Sequence, residues 1–184
     1  MQKYKKLPSL GFGDALSLAF GRLTDFKGRS RRSEFWYMML MVMIINFVLS
    51  VFVSFDQLVS AIVSIAVMFL GLSVTARRLQ DTGKSAMFVY VSYAFGIVAN
   101  LYTALSDYTT VVMQAIREDD VIGFYAKHMD VFGMMASLSG LWTISSLIVI
   151  VFCMLDGTPG ANKYGESPKY VEEKTVNGDF EETV

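Results

Sequence analysis

The chain has 184 residues, 53% hydrophobic and 18% charged, a formal net charge of -1 and a mean hydropathy of +0.43. So large an apolar fraction excludes water as the only solvent, and the near-neutral sum hides long uncharged stretches separated by short charged segments. Cys153, the single cysteine, lies in an apolar run, which excludes an intrachain disulfide and a cysteine metal cluster and reads as a buried, inert thiol.

The first 34 residues hold Lys3, Lys5, Lys6, Arg22, Lys27, Arg29, Arg31 and Arg32 without an apolar core, so no cleavable signal peptide is expected. The first hydrophobic helix then serves as its own insertion signal. Phe12, Leu16, Ala19, Phe20, Leu23 and Phe26 recur at helical spacing, with Asp14, Ser17, Arg22 and Asp25 on other faces, and predict an amphipathic helix. Two placements stand open for it: in the membrane interface against anionic lipid, or packed on the cytoplasmic end of the bundle.

Two uncharged stretches of about 20 residues, 35–55 and 57–76, each match a hydrocarbon core roughly 30 Å thick. As one helix they would extend roughly 60 Å, so the chain must reverse near Asp56, whose carboxylate can cap the second helix. That helix is expected to end at Gly83, with Ser85 as N-cap of the next run. A third span is predicted over 86–106. Val111, Val112 and Ile116 would prolong it beyond the surface, and a polar loop carrying Arg117, Glu118, Asp119 and Asp120 would continue to Asp130. The fourth span covers 131–155. After Lys169 the acidic tail, with Glu172, Glu173, Asp179, Glu181 and Glu182, is expected to be disordered. The fold class is therefore all-α: a polytopic membrane protein with four transmembrane helices plus an N-terminal amphipathic helix. It divides into a basic cytoplasmic segment over 1–34, a membrane domain over 35–155 and a cytoplasmic tail over 156–184.

Lys and Arg collect before the first span, in the hairpin through Arg77, Arg78 and Lys84, and in the tail through Lys163, Lys169 and Lys174. The positive-inside rule puts these segments, and both termini, in the cytoplasm. Trp36 and Tyr37 at the start of the first span suit the aromatic belt at the interface.

Three polar motifs consequently face one compartment. The first runs from Gly28 to Trp36 and includes Arg29, Arg31, Arg32 and Glu34. The second runs from Arg77 to Ser85 and includes Arg78, Asp81 and Lys84. The third runs from Asp156 to Gly165 and includes Asn162 and Tyr164. In this order and at these places they resemble the GRxRRxEFW, RRLHDxGxS and DGTxGxNxYGxxP marks of the domain-of-unknown-function 805 family of small bacterial inner-membrane proteins. The resemblance covers nearly the whole chain and implies the same architecture and location, without an activity. One departure is Gln80, where the family commonly has His, which argues against imidazole chemistry at that position.

The residues Arg29, Arg31, Arg32, Glu34, Arg77, Arg78, Asp81, Lys84, Asp156, Asn162 and Tyr164 admit two readings. They converge on an electropositive site for an anionic headgroup, a phosphate-bearing ligand or an acidic partner segment. Or the arginines set topology while Glu34, Asp81 and Asp156 neutralise them and knit the helix ends together. Gly83-Lys84-Ser85 ends like a P-loop, but the glycine required five positions earlier is Arg78, so a nucleotide site is rejected. His128 reads as a solvated outer-loop residue, and no catalytic triad, metal site or cofactor is expected.

No charged residue interrupts the spans, which argues against an ion pump or proton-coupled carrier. The pairs Ala136/Gly140 and Ser92/Gly96 have the small-xxx-small spacing that allows close helix packing, within the bundle or between copies in a homo-oligomer. The functional expectation is a non-enzymatic membrane-organising or interaction protein whose partners are the bilayer and its anionic headgroups, with no nucleic acid. The alternative is a small membrane enzyme or transporter using a pocket formed by the three motifs.

Overall fold

The structure, a computed structural model, describes residues 4–52, 56–118 and 120–172. In chain order the elements are β1 (Tyr4–Lys6), α1 (Phe12–Gly21), α2 (Arg32–Phe52), α3 (Gln57–Asp81), α4 (Met87–Leu105), α5 (Tyr108–Ala115), α6 (Val121–Lys127), α7 (Met129–Met154) and β2 (Tyr170–Glu172). α2, α3, α4 and α7 are long and apolar enough to cross a membrane. The chain is an all-α polytopic membrane protein, and its surface agrees. Met43, Phe47, Ile62, Phe69, Ile144 and Leu147 point outward, whereas Arg77 and Arg78 are the largest fully buried side chains. An apolar jacket around a charged interior fits hydrocarbon as the surrounding solvent.

The helices pack in sequence, α1 on α2, α2 on α3, α3 on α4 and α4 on α7, while α2 touches α7 only sparsely. Ser92 and Ser146 hydroxyls meet at 2.9 Å across the α4–α7 seam, so the Ser92/Gly96 edge packs within the bundle. Ala136 is exposed and a side chain at Gly140 would meet nothing, so that edge of α7 stays open. The dry core is Phe35 and Met38 of α2, Leu72, Val74 and Leu79 of α3, Val89 of α4 and Val149 and Cys153 of α7, joined by Leu16 and Ala19 of α1. All of these lie toward the end of the bundle that carries the three motifs.

Asp56 caps α3 as expected, accepting from the Leu58 N–H at 2.9 Å. Gly83 takes φ +78° just past the end of α3, and the Ser85 hydroxyl accepts from the Met87 N–H at 3.3 Å. At 25 residues α3 is about 37 Å long, a turn or more beyond a 30 Å core, long enough for its last turn, Arg77 to Asp81, to stand outside that core.

Four features differ from the expectations. The third span is not prolonged: Ser106 leaves the helix in an extended conformation, and α5 starts anew at Tyr108. The polar loop before the fourth span holds a short helix, α6, because the Asp120 carboxylate accepts from the Gly123 N–H and starts it. The amphipathic helix stops at Gly21, so Leu23 and Phe26 pack on the core from the following linker. In the acidic tail, Tyr170–Glu172 forms a strand paired antiparallel with β1, with Lys6 opposite Tyr170 and Tyr4 opposite Glu172. The N-terminal strand gives this segment a backbone hydrogen-bonding partner; the rest of the tail, 173–184, lies outside the described residues.

Candidate functional site: a buried arginine–aspartate clasp

Asp81, on the last turn of α3, is the hub. Its Oδ1 accepts from Arg29 Nε at 2.8 Å and its Oδ2 from Arg78 Nη1. The helix brings Arg78 there by geometry, since residues three apart share a face. Arg29 comes from the linker before α2. All three side chains are almost wholly buried.

The remaining guanidinium donors go to backbone carbonyls. Arg29 Nη1 donates to the Gly160 carbonyl at 2.7 Å and the Gly165 carbonyl at 3.2 Å, and its Nη2 to the Thr158 carbonyl at 2.5 Å. Arg78 donates from Nε to the Cys153 carbonyl at 3.0 Å and from Nη2 to that of Leu155. Arg32 Nε reaches the same Leu155 carbonyl at 3.3 Å. Cys153 and Leu155 are at the C-terminus of α7, where the last carbonyls lack helical partners and carry the negative end of the dipole. Two cations therefore cap α7 from α2 and α3.

The third motif does the same for α3. The Thr158 N–H donates to the Asp81 carbonyl at 3.1 Å, and Asn162 Nδ2 donates to the Gln80 carbonyl at 3.0 Å. Asn162 also holds its own loop, through Thr158 Oγ1 at 3.1 Å and the Tyr164 N–H at 2.8 Å. Gly157 sits against the Asp81 carboxylate so closely that a Cβ would lie 2.7 Å from Oδ1 and nearer still to Oδ2. Only glycine fits that approach.

Arg77 points away from this hub, toward the α1–α2 linker. Its Nε donates to Ser30 Oγ at 3.0 Å, and its Nη1 to the Arg22 carbonyl at 2.6 Å and to that of Asp25. Ser30 Oγ in turn donates to Glu34 Oε2 at 3.0 Å, and Glu34 Oε1 accepts from the Arg31 N–H at 2.9 Å. Glu34 thus holds the first turn of α2, as the third-position glutamate of a capping box does. Arg77 Nη2 and Gln80 Oε1 are buried without a hydrogen-bond partner among the described residues.

At the rim, Arg31 donates to the Pro168 and Pro8 carbonyls at 2.5 and 2.7 Å, tying both terminal segments to α2. Asp156 pairs with Lys169 at 2.5 Å and with Arg32 at 3.7 Å. The Lys169 hydrogen bond, aided by Arg32, holds the Asp156 carboxyl below its ordinary value of 3.8. Burial by itself would lower the Lys169 ammonium, but hydrogen bonds to Asp156 and Tyr170 outweigh it and raise it above 10.5.

Of the eleven residues singled out, Arg29, Arg78, Asp81 and Asn162 converge directly, Arg31, Arg32 and Asp156 border them, and Glu34 and Arg77 form an adjoining network. Lys84 stays apart, exposed, with its ammonium 5.4 Å from the centre of the Phe152 ring. Tyr164 contributes its backbone N–H, and its ring lies under Lys163 at 5.0 Å. Ser30 and Thr158, and the carbonyls of Cys153 and Leu155, were not signalled by residue type; the end of an apolar run beside a cationic motif is the one clue to the last two. His128 accompanies Phe124 at the end of α6, and no group of metal-ligating side chains occurs among the described residues.

The family described as protein of unknown function (DUF805) matches residues 23–166. The chain belongs to this family. The matched segment starts just after α1 and takes in every residue of the clasp, leaving α1 and the β1/β2 pair outside it. Comparison with curated proteins and with solved structures finds no match.

Proposed function

We propose that this DUF805 member is a bacterial inner-membrane protein with both termini in the cytoplasm that organises its membrane environment by binding anionic lipid. The observation that carries this reading is where the charges end up. Arg29 and Arg78 spend their donors on internal acceptors, as does Arg77 apart from its Nη2, so these guanidiniums serve as struts. Lys5, Lys6, Lys27, Lys84 and Lys163 remain exposed. On α1, Ala15, Leu16 and Ala19 face the bundle while Phe12, Leu18 and Phe20 stay outside. α1 carries no lysine of its own, but Lys5 and Lys6 precede it in the chain and Lys27 follows it. An exposed apolar face flanked by exposed lysines suits a helix resting among anionic headgroups.

The test is lipid enrichment around the protein in bilayers of phosphatidylcholine and phosphatidylglycerol. Phosphatidylglycerol should be enriched at least twofold near the protein, and replacing the five lysines by glutamine should remove the excess. Equal numbers of both lipids around the unmodified protein would reject the reading. A reporter fused after Val184 that is reached only from outside the cell would reject the orientation.

A further inference from the structure

We propose that the half of the bundle farther from the clasp contains a binding site for an uncharged, hydroxyl-bearing headgroup. A cavity of about 650 Å³ opens there, lined by all four long helices through Asn46, Ser64, Asn100, Thr103, Ser139 and Trp142 among others. Asn100 lies 13 positions along α4 from its clasp end, about 20 Å into the bundle. No ionisable side chain lines the cavity among the described residues. A charged ligand would therefore find no counterion among the lining residues.

The hydrogen-bonding capacity left over defines the ligand further. Asn46 and Asn100 each donate their amide to a carbonyl one turn back, at 2.9 and 2.8 Å, which leaves both Oδ1 atoms as acceptors. Thr103 and Ser139 donate their hydroxyls to Ala99 and Met135 carbonyls at 2.9 and 2.7 Å, leaving oxygen lone pairs. The Trp142 indole N–H has no acceptor among the described residues. Gly96 lets it lie against α4, since a Cβ there would be 2.9 Å from Nε1. The donor of Trp142 and the acceptor of Asn100 thus flank one wall, a helical turn apart. Gln57, Ser64 and Thr109 add amide and hydroxyl groups to the same lining. A wall of uncharged acceptors and donors matches hydroxyl groups that donate to the asparagines and accept from the indole. Met68, Ala61 and Val42 supply apolar lining for the rest of an amphiphile. Such a head is shared by a diacylglycerol entering from the bilayer and by a polyol entering from water.

The chain has two tryptophans, Trp36 and Trp142, so Trp36→Phe leaves Trp142 as the sole reporter. In phosphatidylcholine bilayers, brominated-chain diacylglycerol should quench Trp142 at least twofold more than brominated-chain phosphatidylcholine at equal mole fraction. Asn100→Leu should abolish the excess, and Thr103→Val should reduce it should the first variant not fold. Excess quenching that survives added glycerol assigns the site to lipid, and excess that glycerol removes assigns it to a water-borne polyol; both support the site. Equal quenching by the two lipids with no glycerol-dependent change in Trp142 emission overturns it, as does an excess that persists in folded variants.

Discussion

Arg29 and Asp81 stand 52 positions apart and meet through a 2.8 Å hydrogen bond with both side chains almost wholly buried. A carboxylate taken from water recovers its solvation only if its partners are close and numerous. Asp81 has Arg29 on one oxygen and Arg78 on the other, and both arginines continue to backbone carbonyls of the tail and of α7. The cluster therefore joins the start of α2, the end of α3 and the end of α7 at a single point.

Charge-preserving substitutions separate a strut from a mere topology signal. Arg29→Lys and Arg78→Lys keep the positive charge but cannot span a carboxylate and several carbonyls at once. Each should cost about 1–3 kcal/mol through buried acceptors left unpaired. Lys84→Arg and Lys163→Arg should change stability by less than about 0.5 kcal/mol. Thermal unfolding in a mild detergent measures all four.

Gly157→Ala forces a methyl group into the Asp81 carboxylate. Overpacking of this kind costs about 1–3 kcal/mol. In an Asp81→Ala background the collision is absent, so the same change should cost much less. The difference is read from unfolding midpoints of the two single variants and the double variant.

The rim pair gives a pH signature. Asp156 lies below its ordinary 3.8, so its contribution is fully present above that value and fades as the pH falls through the lower folded-state value. Lys169 lies above 10.5, so its contribution is fully present below that value and fades as the pH rises through the higher folded-state one. The Asp156 side chain is half exposed, and solvent screening limits the pair to at most about 1 kcal/mol. Proteolysis between residues 156 and 169 should be slow and unchanging between about pH 5 and 9, and faster below 3.8; Lys169→Gln should flatten the acid limb.

The membrane architecture was legible because burial in hydrocarbon needs about 20 uncharged residues per helix, a pattern that survives without tertiary information. Asp56 and Gly83 were legible for a local reason, since capping and left-handed turns are short-range chemistry. The split between Ser106 and α5 was hidden because Val111 and Ile116 keep helical periodicity across the break. Sequence reasoning brought three cationic motifs to one compartment, but not which guanidiniums would be spent. That depends on carbonyls of Cys153, Leu155, Thr158 and Gly160, which every residue type possesses. The β1/β2 pairing was likewise invisible, since three-residue strands in charged segments carry no periodicity to read.

A double-mutant cycle between Arg29→Met and Asp81→Leu tests the clasp most directly. Asp81→Leu alone leaves two buried guanidiniums without their carboxylate and should cost about 3–5 kcal/mol. In that background Arg29→Met should cost at least about 2 kcal/mol less than in the unmodified chain, a coupling well above the additive range for independent sites. Costs that add within about 0.5 kcal/mol would contradict a shared buried cluster and leave these residues as separate topology signals.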